Sequence, residues 1–243
     1  MRAPTAAELL TVWERGIGQP PAKRGSLLLA AVGGDGPGTV AQLSIGQRDA
    51  QLLGLRERLF GSEITGLAAC PACGEKAELR FDVRDIRLPQ PDVSAGRIEL
   101  NLDGWETVFR LPQGLDLDRL DPRAGVEANR LRLLECCLLS ARCDGRDVSA
   151  GELPERVVAA IAQRMSEADP QGDVRLDLQC PQCAHRWQAP FDIVSFLWTE
   201  LHAWAMRLLR EVHALASAYG WREADIFALS PWRRRAYLEM LGT

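Results

Sequence analysis

Three features of the sequence predict an α+β fold, mostly helical, in which two distant cysteine knuckles draw two short hairpins together around an inserted hairpin-and-helix module. Apolar residues recur at helical spacing through the first 60 residues and again from about 193 to 219. Two C-x-x-C turns, Cys70-Pro-Ala-Cys73 and Cys180-Pro-Gln-Cys183, are flanked by segments of alternating apolar and polar residues. Between them, Asp103-Gly104 separates two further alternating runs, a two-residue hairpin signal. The chain has 243 residues, 47% hydrophobic and 26% charged, which is enough for one large domain or two small ones and excludes wholesale disorder.

The elements follow in order. Leu9, Leu10, Trp13 and Ile17 mark an opening helix that Gly16, Gly18 and Pro20–Pro21 end. A second helix starts at those prolines and carries Leu27–Leu29 and Val32 to a glycine-rich break at Gly33–Gly38. A third spans about Gln47–Phe60, with Leu52, Leu53, Leu55 and Leu59 apolar and Gly61 as its stop. Ile64–Ala69 is a short apolar strand leading into the first knuckle, and the alternation of Ala77–Val83 is a strand leading out of it. Ile86–Gly96 reads as a loop, and Arg97–Leu102 with Trp105–Leu111 as the inserted hairpin. Pro112–Leu117 turns the chain into helices at about Val126–Ser140 and Leu153–Glu167, closed by Asp169–Gly172. Val174–Leu178 and Arg186–Phe191 are the strands of the second knuckle.

The longest helix runs from about Ile193 to Tyr219, with Leu197, Leu201, Trp204, Leu208, Val212, Leu215 and Tyr219 in one stripe and Gly220 as C-cap. Ser230-Pro231 opens a last short helix holding Arg233–Arg235, Tyr237 and Leu241. These elements group into an N-terminal helical region (1–62), a discontinuous knuckle module (63–85 with 173–192), an inserted module (86–172) and a C-terminal helical region (193–243).

Charge and hydropathy set the function classes. Lys and Arg total 29 against 33 acids, a net charge of −4, so no global field draws the chain onto nucleic acid. Only two of the 29 are lysines, Lys23 and Lys76, a skew typical of GC-rich bacterial coding. No apolar run approaches the roughly 20 residues that span a bilayer, and the N-terminus lacks a long apolar export stretch. In such a cytosolic-type chain disulfides are disfavoured, so C-x-x-C pairs read as metal or redox sites.

Cys70, Cys73, Cys180 and Cys183 together supply four soft ligands, the set for one tetrahedral Zn²⁺ in a zinc-ribbon-like β element. Four thiolates fill the coordination sphere and leave no open position, which makes the ion structural. Gly74 permits the left-handed backbone such turns use, whereas the second knuckle has Ala184 there. The 106 residues from Gly74 to Gln179 intervene, and cross-linking a loop of that length restricts the unfolded chain by about 4–5 kcal/mol. Two metal-free reduced pairs, or a thioredoxin-like dithiol, are the alternatives. His185 follows the second knuckle closely enough to be a substitute ligand, though its pattern is that of a strand residue.

An internal echo reinforces the pairing. Ala68–Cys73 followed by Phe81-Asp82-Val83 resembles Leu178–Cys183 followed by Phe191-Asp192-Ile193. Two such knuckles can meet face to face around one ion.

No catalytic residues emerge. There is no G-x-S-x-G serine and no phosphate-binding glycine loop, so neither an enzyme nor a small-molecule substrate is expected. His202 and His213 lie eleven residues apart on one helix, about 16 Å of rise, too far to share a metal. Cys136, Cys137 and Cys143 read as buried small apolar residues. Trp198 and Leu209 fall off the main stripe of the long helix, which a second buried face or a partner surface would explain. Arg233–Arg235 reads as a solvated face or as a contact for phosphate or an acidic partner.

Several segments resemble a known family: Leu43–Gly61 with its neighbouring knuckle, Phe109–Leu117, and Phe196–Leu241 with its Ala218–Trp221 turn and Leu229-Ser-Pro…Arg234-Arg235…Tyr237-Leu238 ending. Together they are similar to T4-type phage baseplate proteins and baseplate hub assembly chaperones, found with contractile phage tails and extracellular contractile injection systems. The resemblance implies a non-enzymatic protein whose partners are baseplate or hub proteins. It would act in the cytoplasm during assembly or within the particle. Trp198, Trp221, Trp232, Arg234 and Tyr237 are the residues expected to meet the partner. The rival reading is a zinc-ribbon nucleic-acid-binding regulator, for which Arg80 and Arg186 are diluted by Glu75, Glu78 and Asp82.

Overall fold

A computed structural model describes residues 4–32, 37–89, 96–121 and 123–242. Most of the glycine-rich break at Gly33–Gly38 and of the 86–96 loop lies outside the described residues. Helix α1 (Ala6–Gly16) begins at Thr5, which forms a reciprocal capping box with Glu8. Helix α2 (Pro21–Val32) starts at the proline as expected, and a short α3 (Pro37–Ala41) precedes α4 (Ile45–Phe60). Ser44 and Gln47 box the start of α4, and Gly61, at φ 88°, ends it.

Strands β1 (Glu63–Ala69) and β2 (Lys76–Asp82) pair antiparallel in continuous register from Glu63–Asp82 to Ala69–Lys76. A one-turn helix, α5 (Val83–Ile86), follows. Next come β3 (Ile98–Leu102) and β4 (Trp105–Phe109), whose turn residues Asp103 and Gly104 both have positive φ, as a right-handed strand twist requires of a two-residue hairpin. After α6 (Gly114–Leu117) and α7 (Val126–Cys137), strands β5 (Leu138–Cys143) and β6 (Arg146–Asp147) complete a sheet of order β3-β4-β5-β6. Helix α8 (Glu155–Ala168) covers it. Strands β7 (Arg175–Gln179) and β8 (Arg186–Pro190) form the second two-stranded hairpin. The chain ends in α9 (Ile193–Tyr219), α10 (Glu223–Ala228) and α11 (Pro231–Met240). The result is mixed helix and sheet and 56% helical, in line with the α+β, mostly helical expectation.

The main core gathers Leu9, Leu28, Leu52, Ile64, Val83 and Leu197–Leu201, so it is built from both chain-terminal helical regions and the roots of the first hairpin. A second core lies inside the inserted module, where Phe109, Val157 and Ile161 are almost fully enclosed. A third, small core joins Val212 and Leu215 of α9 to Ile226 of α10, with Trp221, Tyr237 and Leu241 packed against it. Burying these side chains contributes about 1.5–3 kcal/mol each before the entropy of ordering the chain is subtracted. Arg56, only 2% exposed, donates twice to the Glu200 carboxylate (3.0 and 2.8 Å) and once to the Gly61 carbonyl, fixing α4 against α9.

Three expectations are corrected. The helix expected over Val126–Ser140 stops at Cys137, because Leu138–Cys143 hydrogen-bonds to β4 instead. Trp198 is not at the surface: it is 7% exposed, its indole fills the space left by Gly16, and the Arg24 guanidinium lies 4.6 Å over its ring. The second buried face thus accounts for its place off the stripe. Of Cys136, Cys137 and Cys143, only Cys137 is buried; the other two are half-exposed.

Candidate metal centre

Each hairpin ends in a knuckle of the same construction. In the first, the Cys70 N–H donates to the Glu75 carbonyl (2.8 Å) and the Gly74 N–H to the Cys70 carbonyl (2.9 Å). In the second, the Cys180 N–H donates to the His185 carbonyl (2.9 Å) and the Ala184 N–H to the Cys180 carbonyl (3.1 Å). Gly74 at φ 77° and Ala184 at φ 57° occupy the same left-handed position, so the alanine adopts the turn the glycine adopts freely.

The echo continues past the knuckles. Asp82 caps α5 by accepting from the Arg84 N–H, and Asp192 caps α9 by accepting from the Val194 and Ser195 N–H groups. The residues after them, Val83 and Ile193, are both buried in the main core. The residues before them, Phe81 and Phe191, meet edge to face at 5.7 Å. Each half of the pair is therefore a hairpin, a knuckle, an aromatic contact and an aspartate-capped helix, and the two halves face each other.

This arrangement brings together all four expected cysteines. The sulfurs of Cys70, Cys73, Cys180 and Cys183 lie within 4.8 Å of one another, a group that could hold a metal ion. Across the knuckles, Cys70 and Cys183 are 3.7 Å apart and Cys73 and Cys180 are 3.5 Å apart. Four thiolates at a zinc–sulfur distance of about 2.3 Å stand about 3.8 Å from each other on the edges of a tetrahedron, so the donor set fits that ion in type and spacing. The first cysteine of each knuckle is buried and the second is exposed. His185 is outside the group; its carbonyl closes the knuckle and its ring stacks on Trp187.

The thiols hold their protons unequally. The Cys183 and Gln182 N–H groups aim at Cys180 and, against the opposing desolvation, bring its thiol down to about 7. For Cys73 the Glu75 N–H pulls downward, but sharing protons with Cys180, Cys183 and Cys70 pushes it up to about 12. Cys183 is also raised: the His185 N–H and Cys73 favour its thiolate, while desolvation and the sulfurs of Cys180 and Cys70 outweigh them. One thiol is ready to ionise and its neighbours resist adding further negative charge. A cation at the centre relieves that repulsion.

The remaining expected residues lie in the C-terminal helices. Trp221 stacks on Tyr219 (4.7 Å) and meets Tyr237 edge to face (4.8 Å), while Arg234 pairs with Glu211 at 2.8 Å. Trp232 is 79% exposed. His202 accepts a hydrogen bond at Nδ1 from the Trp13 indole (3.0 Å), a packing role. Sequence reasoning missed Arg56, Glu200 and Gln171 as ties between elements; charge at single positions carries no such signal. Among the described residues, no helix is long and apolar enough to cross a membrane.

A scan of protein-family models matches residues 27–198, 172 of the 243, to a family described as T4 bacteriophage base plate protein. Comparison with curated proteins and with solved structures finds no match. The matched stretch takes in Leu43–Gly61, both knuckles and Phe109–Leu117, and stops six residues into α9.

Proposed function

This chain belongs to the T4 bacteriophage base plate protein family, and from that membership we propose that it is a non-enzymatic subunit of a contractile tail or injection-system baseplate, stabilised by one structural Zn²⁺. The observation that carries the metal reading is the meeting of four thiols from hairpins 106 residues apart, at spacings suited to a tetrathiolate ion. Cys70, Cys73, Cys180 and Cys183 are the ligands, in a discontinuous zinc-ribbon-like element. The ion clamps the two arms, and the rest of the chain serves as the surface on which other subunits are placed.

The non-enzymatic reading is supported by a cleft of about 920 Å³ that opens between the two hairpins and α9. Its lining is mostly apolar, with Leu67, Leu79, Phe81, Phe191 and Phe196 among it, and two of its charged groups are engaged: Arg80 with Glu63, and Glu200 with Arg56. On the hairpins Arg80 and Arg175 are each neutralised by an adjacent carboxylate, which weighs against nucleic-acid binding, although Arg186 makes no ion pair among the described residues.

Two measurements test this. Purified protein should contain one zinc per chain, and Cys70→Ser or Cys180→Ser should lose it; a stable, metal-free wild type overturns the metal centre. Sedimented particles from producing cells should hold the chain at a fixed stoichiometry. Recovery only in the soluble pool, bound to an unassembled hub protein, replaces the subunit reading with an assembly chaperone.

A further inference from the structure

We infer that Cys73 and Cys183 are oxidation sites whose sulfurs each pair with a buried cysteine of the opposite arm, so that peroxide exchanges the metal clamp for two covalent ones. The inference deepens the metal-centre reading above and rests on it. Within each knuckle the second cysteine is exposed and the first is buried. An oxidant arriving from solvent therefore meets Cys73 or Cys183 first. Two S–H···S contacts cross between the arms, and each joins an exposed sulfur to a buried one. Cys73 lies 3.5 Å from Cys180, and Cys183 lies 3.7 Å from Cys70. A disulfide bond measures about 2.05 Å, so each pair has about 1.5 Å to close.

Anchors independent of the sulfurs hold the arms opposed. Val83 and Ile193, just beyond the two hairpins, are buried in one core, and Phe81 meets Phe191 edge to face at 5.7 Å. The partner sulfur is thus kept beside the exposed one, and the second step of the oxidation is intramolecular. In the first step the Cys73 thiolate attacks one oxygen of a peroxide, the O–O bond breaks, and the sulfur becomes a sulfenic acid while the other oxygen leaves as hydroxide. In the second, the Cys180 thiolate attacks the Cys73 sulfur, forms the S–S bond and expels a second hydroxide. Both hydroxides take protons from solvent and leave as water. Cys183 and Cys70 repeat these steps with a second peroxide. Each disulfide takes two electrons from its sulfurs, which then no longer carry the charge that holds a cation, so Zn²⁺ is set free. The two bonds span 113 and 107 positions of the sequence, the same long separation that the ion bridges. A clamp of this kind holds in oxidising surroundings, where thiolates do not last.

The test uses the purified full chain, its zinc content counted first, with Cys136→Ser and Cys143→Ser removing the half-exposed thiols outside the cluster. Hydrogen peroxide is added stepwise. Released zinc is read with a chromogenic chelator, linkages by fragment-ion sequencing of non-reduced peptides, and Tm by calorimetry. One zinc should be released for every two peroxides consumed, leaving monomeric protein linked Cys73–Cys180 and Cys70–Cys183. Its Tm should stay within about 3 °C of the zinc-loaded form, whereas the reduced, chelator-stripped chain should melt about 10 °C lower because nothing closes the long loop. Dithiothreitol with added zinc should restore the loaded form. Linkage within each knuckle leaves the arms unjoined and overturns the inference. So do disulfides between chains, sulfinic acid in place of disulfides, or zinc retained while peroxide is consumed. A chain that purifies without zinc overturns the metal-centre reading instead, and the exchange of clamps with it.

Discussion

Ala184 holds a left-handed backbone conformation at φ 57° because the second knuckle needs the same turn that Gly74 makes at φ 77°. A methyl group there crowds the following carbonyl, at a cost of about 1–2 kcal/mol, part of which a glycine would return as extra freedom in the unfolded chain. Ala184→Gly should therefore stabilise the protein by about 1 kcal/mol in chemical denaturation, with the metal content unchanged; destabilisation would show that the methyl is packed rather than strained. The contrast between the two knuckles was legible in the sequence, since the residue after the second cysteine changes from glycine to alanine. The fate of Trp198 was not. Its wheel position fits a partner face as well as a second core face, and only the neighbouring Gly16 decides between them by leaving room for the indole.

At the scale of elements, the start of α4 shows how the inserted module is attached. The Gly46 N–H donates to Asp169 Oδ2 (2.8 Å), so a carboxylate from the far end of the module completes the capping begun by Ser44. A side chain at position 46 would overlap that carboxylate and crowd the Gly172 backbone. Gly46→Ala should cost about 1–3 kcal/mol, read as a lowered Tm, while leaving zinc binding intact. The Gln171 side chain secures the same joint from the other side, accepting from the Leu88 N–H and donating to the Ile86 carbonyl.

The long helix Ile193–Tyr219 was readable to its ends, and the hairpin around Asp103-Gly104 and both knuckle hairpins to within two residues. Strand β5 was hidden because Leu138 and Leu139 continue the apolar run of α7. Its signal was Asp144-Gly145, a second turn of the same kind with φ 50° and 79°. The one-turn α5 was hidden because Val83 completes the alternation of β2.

For the whole molecule, the two arms rest on a shared core, but their tips are joined only where the four thiols meet. Removing the proposed zinc ion with a chelator should lower Tm by about 10 °C, since closing a loop of this length accounts for about 4–5 kcal/mol and each kcal/mol moves Tm by about 2–4 °C at this size. An unchanged Tm after complete zinc removal would place the clamp's energy elsewhere. The same chain separation has a temporal consequence. During synthesis at about 5–20 residues per second, the first knuckle leaves the ribosome roughly 5–20 s before the second exists. For that interval the nascent chain presents only half of the thiol cluster, two unpartnered thiols open to oxidants or to competing metals.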